Sequence, residues 1–117
     1  MIIRSERNRR YPRVELNTPF RYQVRGAPDI KSTVVDNISV GGLSFVSDRF
    51  IRPATNLNVE ISILSRIINS TARVMWAQPL PHSDRYRLGV EFVDLNQIAK
   101  NYLSDYIDMH REDLELA

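Results

Sequence analysis

The sequence predicts a mainly β protein, a six-stranded antiparallel small β-barrel with a C-terminal α-helix. Three observations lead to this fold class. Apolar and polar residues alternate through several short segments, as they do in strands with one buried face. Turn-forming Gly, Pro, Asn and Asp residues separate these segments. The period then changes, after residue 97, to the three- and four-residue spacing of an amphipathic helix. Short strands of this kind bury their edges by closing into a barrel.

Length and composition exclude several classes of protein. The chain has 117 residues, which suits one domain, and it is 43% hydrophobic and 26% charged, as globular proteins are. It has no cysteine, which excludes a disulfide scaffold, a thiolate metal site and a cysteine nucleophile. No apolar run reaches membrane-spanning length, and the amino terminus lacks the apolar core of a signal peptide. We therefore expect a soluble cytoplasmic protein.

The first strand is predicted between Val14 and Arg25. Pro19 interrupts its hydrogen bonding and so marks an edge or a bulge, and Gly26–Asp29 reads as a turn. Residues of one parity are mainly apolar and are expected in the core: Val14, Leu16, Thr18, Phe20, Tyr22 and Val24.

Five further strands are predicted, at about residues 30–40, 43–46, 57–63, 67–77 and 86–92. Trp76 shares its parity with Ala72 and Val74. We therefore expect its indole in the core, and stacking on a ligand is the alternative.

The helix carries an apolar stripe that should pack against the barrel, formed by Ala99, Tyr102, Leu103, Tyr106 and Ile107. Asp94 followed by Gln97 resembles a capping box. Acidic residues at the carboxyl end oppose the helix macrodipole, so residues 113–117 are predicted to be a frayed acidic tail. The barrel and helix together occupy residues 14–112.

Residues 1–13 are predicted to form a flexible basic arm. They carry five arginines against Glu6, a local charge of +4, so that the rest of the chain has −2 of the total of +2. Such an arm suits an anionic partner, although a solvated tail that keeps the protein soluble has the same composition.

The sequence contains no recognisable catalytic constellation. Neither His82 nor His110 has a partner at metal-ligand spacing. No serine lies in a nucleophile-elbow sequence, and no glycine-rich loop precedes a lysine. We therefore predict no enzymatic activity, no metal site and no cofactor.

The first segment with recognition chemistry is Arg9-Arg10-Tyr11-Pro12-Arg13. Pro12 restricts Tyr11 to extended conformations. In an extended chain the first and last arginines lie about 13 Å apart. Guanidinium groups bind phosphate and the Hoogsteen edge of guanine through paired hydrogen bonds. The arm can therefore hold two ends of a ligand.

The second such segment lies at the end of the second predicted strand. Ile38 and Val40 share an apolar parity with Val34, so Asn37 and Ser39 are expected side by side on the outward face. An amide and a hydroxyl suit the donors and acceptors of a base. A polar outer face that ends in a bulge or turn is the alternative interpretation.

Together the two segments resemble the signature of the PilZ domain family, Arg-x-x-x-Arg followed by Asp or Asn, x, Ser, x, x, Gly. Arg9 and Arg13 fill the first element, and Asn37, Ser39 and Gly42 fill the second. Asp36 lies one position too early and has the core parity, so it is not counted. Residues 74–76, residues 89–92 and the helix are also similar to this family. The resemblance implies a bacterial receptor module with a six-stranded antiparallel barrel and a C-terminal helix.

The ligand implied by the resemblance is the second messenger cyclic di-GMP. The arginines would hold guanine edges and phosphates, Asn37 and Ser39 would hold a guanine, and Gly42 would make room for it. The expected ligand-binding residues are Arg9, Arg10, Arg13, Asn37, Ser39 and Gly42. The module would signal through a change in its arm to an unidentified protein partner. Two alternatives remain, a PilZ-like protein-interaction module without nucleotide and an OB-like barrel that binds single-stranded nucleic acid.

Overall fold

The computed structural model describes residues 13–116, with side chains described from 13 to 110. It consists of seven strands and one helix. These are β1 (Val14–Glu15), β2 (Pro19–Val24), β3 (Ile30–Ile38), β4 (Gly42–Ser47), β5 (Asn56–Ile63), β6 (Arg66–Pro79), β7 (Tyr86–Phe92) and α1 (Gln97–Leu116).

The strands form a closed antiparallel ring in the order β3-β2-β5-β6-β7-β4, and pairing between β3 and β4 completes it. The short β1 lies on the same side of β3 as β2. Val14 pairs with Ile38 and Pro19 pairs with Val34, so the register shifts by one residue between the two segments. β1 and β2 are thus one predicted strand interrupted before its proline. The six-stranded barrel with a C-terminal helix is confirmed.

The core contains the apolar parity of the first strand. Phe20, Tyr22 and Phe45 are buried and form an aromatic cluster with ring centroids 4.7 to 5.8 Å apart. The Tyr22 hydroxyl lies 3.2 Å from Ser47 Oγ, which gives it a hydrogen-bond partner inside the barrel. Burial raises the pKa of Tyr22 above its usual value because the ionised phenolate would be desolvated.

A bulge in β3 changes the predicted parity of this strand. Val35 pairs with Phe45 and Asn37 pairs with Ser44, which leaves Asp36 as an extra residue. Val34 is 51% exposed while Val35 and Ile38 are fully buried, so the expectation that Val34 shares the core face was wrong. The core parity expected for Asp36 was also wrong, since its side chain is 38% exposed.

The start of α1 differs from the predicted capping box. Asn96 is the cap, because its Oδ1 accepts a hydrogen bond from the Ala99 N–H at 2.8 Å. Asp94 instead bonds to β6: its carboxylate accepts hydrogen bonds from the Thr71 N–H at 2.7 Å and from Ser70 Oγ at 3.1 Å. These contacts, led by the Thr71 N–H, lower the pKa of Asp94.

The predicted stripe of α1 packs against the barrel. Leu103, Tyr106 and Ile107 are buried, and the Tyr102 hydroxyl donates to the Ile63 carbonyl at 3.0 Å. The helix continues to Leu116, so the backbone is helical there and fraying beyond residue 112 stays a prediction. No helix within the described residues is long and apolar enough to cross a membrane.

Candidate functional site

Arg13 and Asn37, one from each predicted motif, are in direct contact. β1 pairs with the end of β3, and continuing that register places Arg13 opposite Ser39. Arg13 Nη1 donates a hydrogen bond to Asn37 Oδ1 at 2.8 Å, and both residues are half-buried. Pairing between β1 and β3 therefore fixes the last residue of the basic arm beside the second motif.

Ser39 shapes the turn between β3 and β4. Its hydroxyl accepts hydrogen bonds from the N–H groups of Gly41 at 3.1 Å and Gly42 at 3.3 Å, and it donates to the Gly42 carbonyl at 3.3 Å. A hydroxyl offers one donor and two acceptor positions, so all of them are engaged within the turn. The side chain is only 3% exposed, which makes the expectation of an outward Ser39 wrong.

Gly42 is needed where β4 approaches β7. A Cβ at this position would lie 2.0 Å from the Val90 carbonyl oxygen and 3.0 Å from Glu91 Cα. The neighbouring Gly41 carbonyl accepts a hydrogen bond from the Phe92 N–H at 2.9 Å. The room that this glycine provides is thus filled by the backbone of β7.

Asp36 connects the motif to a cluster of polar side chains on the adjoining strands. Its Oδ2 accepts a hydrogen bond from Ser44 Oγ at 3.3 Å and lies 3.5 Å from Asn37 Nδ2. Arg87 Nε lies 3.3 Å from the same oxygen as an ion pair, without the alignment of a hydrogen bond. These contacts restrain the amide of Asn37, whose oxygen faces Arg13.

Trp76 lies on the outer surface beside these residues, so its predicted place in the core was wrong. Val74 pairs with Val90 and Trp76 pairs with Gly89, so Met75 is an extra residue in β6. The bulge leaves Trp76 37% exposed, while Val74 is fully buried. A Cβ on Gly89 would come within 2.2 Å of the indole, which shows that the ring lies directly against the backbone of β7.

These features surround one open cleft of about 430 Å³. The turn from Ser39 to Gly42, the side chains of Met75 and Trp76, and Arg13 all line it. The cleft is within the size range of small-molecule sites and combines an aromatic surface with a few polar groups. Two charged residues that sequence reasoning did not assign also line it, Glu91 of β7 and Lys100 of α1.

A second and larger opening of about 720 Å³ lies elsewhere on the barrel. It separates the first half of β3 from the end of β4 and is lined by charges of both signs, among them Lys31, Asp48 and Arg85. The first two form an ion pair at 3.7 Å. Asn37, Ser39 and Gly42 do not line it, so size alone does not identify the functional site.

The structure thus brings Arg13, Asn37, Ser39 and Gly42 together, while Arg9 and Arg10 lie outside the described residues. Sequence reasoning did not assign Glu91 or Lys100 to the cleft, and it placed Trp76 in the core with stacking on a ligand as the alternative. The neighbouring glycine at position 89 was a possible signal for the tryptophan, because a flat ring needs an open backbone beside it. Among the side chains that the structure describes, from 13 to 110, no group of three or more His, Asp or Glu is placed to share a metal ion.

Solved structures share this fold. The Bacillus subtilis inhibitor of motility (MotI/DgrA) has a TM-score of 0.80 at 20% identity, over 91% of this chain and 52% of that one. The PilZ domain of Escherichia coli YcgR with c-di-GMP has a TM-score of 0.71 at 12% identity, over 92% and 94% of the two chains. The K. pneumonia MrkH–c-di-GMP complex has a TM-score of 0.68 at 17% identity, over 93% and 52%.

The chain spans about half the length of the MotI and MrkH chains and nearly all of the isolated YcgR domain. At these identities the likeness shows the fold. No curated protein matches the sequence closely enough to count as a relative. The sequence does match the PilZ domain over residues 7–109, which is most of the chain, and the chain therefore belongs to the PilZ domain family.

Proposed function

We propose that this domain is a cyclic di-GMP receptor and that the nucleotide binds in the cleft beside Arg13 and Trp76. The observation that carries the proposal is the meeting of both signature segments at this cleft, through the Arg13–Asn37 hydrogen bond. Two of the similar structures, those of YcgR and MrkH, are complexes with this nucleotide. Membership of the PilZ family supports a receptor rather than a catalyst.

The cleft offers each part of such a ligand a suitable group. The exposed indole of Trp76 provides a flat surface on which a purine can stack. The guanidinium of Arg13 can bind a phosphate or the O6 and N7 atoms of guanine in a paired manner. The Asn37 amide already bonds to Arg13 and orients its guanidinium. Ser39 and Gly42 act indirectly, because they set the shape of the turn that forms one wall.

Arg9 and Arg10 are proposed to complete the site from the arm. β1 anchors the chain at Val14, next to the cleft residue Arg13, and four extended residues span about 13 Å. The arm can therefore reach across a ligand that occupies the cleft. Two phosphates would relieve the mutual repulsion of its arginines, so that binding orders the arm over the nucleotide. The arm and the cleft rim would then present a new surface to a downstream protein partner.

Calorimetric titration with cyclic di-GMP tests the proposal. Arg13→Ala should lower affinity roughly 5- to 150-fold, because a paired guanidinium contact contributes about 1–3 kcal/mol. Arg9→Ala should also lower the affinity for cyclic di-GMP. Arg52→Ala is the matched control, since Arg52 is exposed in the loop before β5 and does not line the cleft. An Arg13 variant that binds as the wild type does would refute the assignment.

Amide hydrogen exchange tests the closing of the arm in the same samples. Residues 4–13 should become protected when nucleotide is added, while most of α1 changes less. The same protection with and without nucleotide would exclude the switch. If the wild type binds no cyclic di-GMP, the alternative of a protein-interaction module without nucleotide would replace this proposal. The family assignment argues against the OB-type alternative.

A further inference from the structure

We infer that Lys100 of α1 is a phosphate-binding residue of the cleft, so that a bound nucleotide joins the helix to the barrel. This inference rests on the proposed function, because it assigns a further residue of the same site. Lys100 lies 61 positions after Ser39 in the sequence, yet both line one cleft. Neither signature segment includes it.

The connection between β7 and α1 holds Lys100 in a defined place. The Val93 N–H donates to the Thr71 carbonyl at 2.8 Å, and Asp94 accepts the Thr71 N–H at 2.7 Å. Leu95 is buried, and the Lys100 N–H donates to the Asn96 carbonyl at 2.9 Å as part of the first helical turn. The backbone of Lys100 is therefore fixed to β6 before any ligand arrives, and only the flexible side chain has to be ordered.

The charges of the cleft favour this role. Among the described residues that line the cleft, Arg13 and Lys100 are the cations and Glu91 is the carboxylate. Arg13 already bonds to Asn37, and Glu91 would repel an entering phosphate. The first turn of α1 has no acidic residue that would neutralise Lys100. A cation near a helix amino terminus is unfavourable for the helix itself, and an anion bound beside it removes that penalty.

The sequence of 117 residues has only two lysines, Lys31 and Lys100, and this makes the inference straightforward to test. Lys31 lies in β3, pairs with Asp48 at 3.7 Å and lines the second opening. Lys31→Met is therefore a matched control for Lys100→Met. Both variants lose one exposed or partly exposed ammonium group and keep an unbranched side chain that is shorter by one atom.

Affinity for cyclic di-GMP should fall about two- to fivefold in the Lys100→Met variant, as expected for a solvent-exposed charge contact. Lys31→Met should bind as the wild type does, and Lys100→Arg should keep most of the affinity. The difference between Lys100→Met and the wild type should shrink at high salt, because salt screens an exposed ion pair. A difference that is independent of salt would contradict a phosphate contact.

Amine acylation followed by mass spectrometry gives a second measurement on the unaltered protein. Saturating cyclic di-GMP should slow the modification of Lys100 several-fold and leave Lys31 unchanged. If the wild type binds the nucleotide but Lys100→Met binds equally well, or if Lys100 is not protected, the inference about Lys100 fails while the proposed function stands. If the wild type binds no cyclic di-GMP, both fail together.

Discussion

Replacement of Gly42 by alanine tests whether this glycine serves the ligand or the barrel. The added Cβ would lie 2.0 Å from the Val90 carbonyl oxygen, which belongs to the backbone of β7 and cannot rotate away. Restoring an ordinary van der Waals separation requires β4 and β7 to move apart by roughly 1 Å or more. The perturbation therefore acts on strand pairing first.

The size of the effect can be worked out from the contacts that such a movement would weaken. The Phe92 N–H donates to the Gly41 carbonyl at 2.9 Å, and Gly42 pairs with Glu91. Each backbone hydrogen bond contributes about 1 kcal/mol net, and overpacking in a tight site costs about 1–3 kcal/mol. We expect Gly42→Ala to lower the free energy of unfolding by about 3 kcal/mol.

Urea denaturation followed by circular dichroism measures this free energy directly. Gly26→Ala is the control, because Gly26 lies in a turn with φ of +89° and a Cβ added there would meet no heavy atom within 4 Å beyond its two chain neighbours. That variant bears only the cost of a left-handed backbone, about 1–2 kcal/mol. Equal losses in the two variants, or a Gly42→Ala loss below about 0.5 kcal/mol, would refute the steric argument.

Two further predictions concern Trp76 and Asp94. Trp76→Ala should weaken cyclic di-GMP binding roughly 5- to 150-fold, because base stacking contributes about 1–3 kcal/mol. The far-ultraviolet dichroism spectrum should change little, because the indole lies outside the core. Unchanged affinity in calorimetry would exclude stacking. Asp94 has a lowered pKa, so its contribution to stability is complete above about pH 4 and is lost as the pH falls through that lowered value. In urea denaturation, Asp94→Asn should therefore be less stable than the wild type at neutral pH and closer to the wild type at about pH 3. A difference in stability between the two proteins that does not change with pH would contradict the Thr71 contact.

Strand positions were predictable because alternation and turn residues are local properties of the chain. The last strand, expected at residues 86–92, has those bounds in the structure. Phe20 and Tyr22 are buried as their parity predicts, and the apolar stripe of α1 faces the barrel. In each case the position of a side chain depends on its neighbours two, three or four residues away.

The errors came from bulges, from the turn that buries Ser39 and from the helix cap. Asp36 and Met75 are each one extra residue in a strand, and both shift the parity of the residues on either side of the bulge. A bulge depends on the register of the partner strand, which the bulged strand does not encode by itself. The cap was assigned to Asp94, whereas the structure has Asn96 in that position. No local feature of the sequence indicates that the Asp94 carboxylate accepts a hydrogen bond from Thr71 of β6.

The sequence by itself determined the fold class, the order of the strands along the chain, the amphipathic face of the helix and both signature segments. Only the tertiary structure decided which of these residues meet. Closure of the ring between β3 and β4 and between β4 and β7 brings the turn at Ser39 next to Trp76, and the connection at Asp94 brings Lys100 to the same cleft. The physical reason is that alternation specifies which face of a strand is buried, while contacts on the outer surface depend on the pairing of strands that are distant in the sequence.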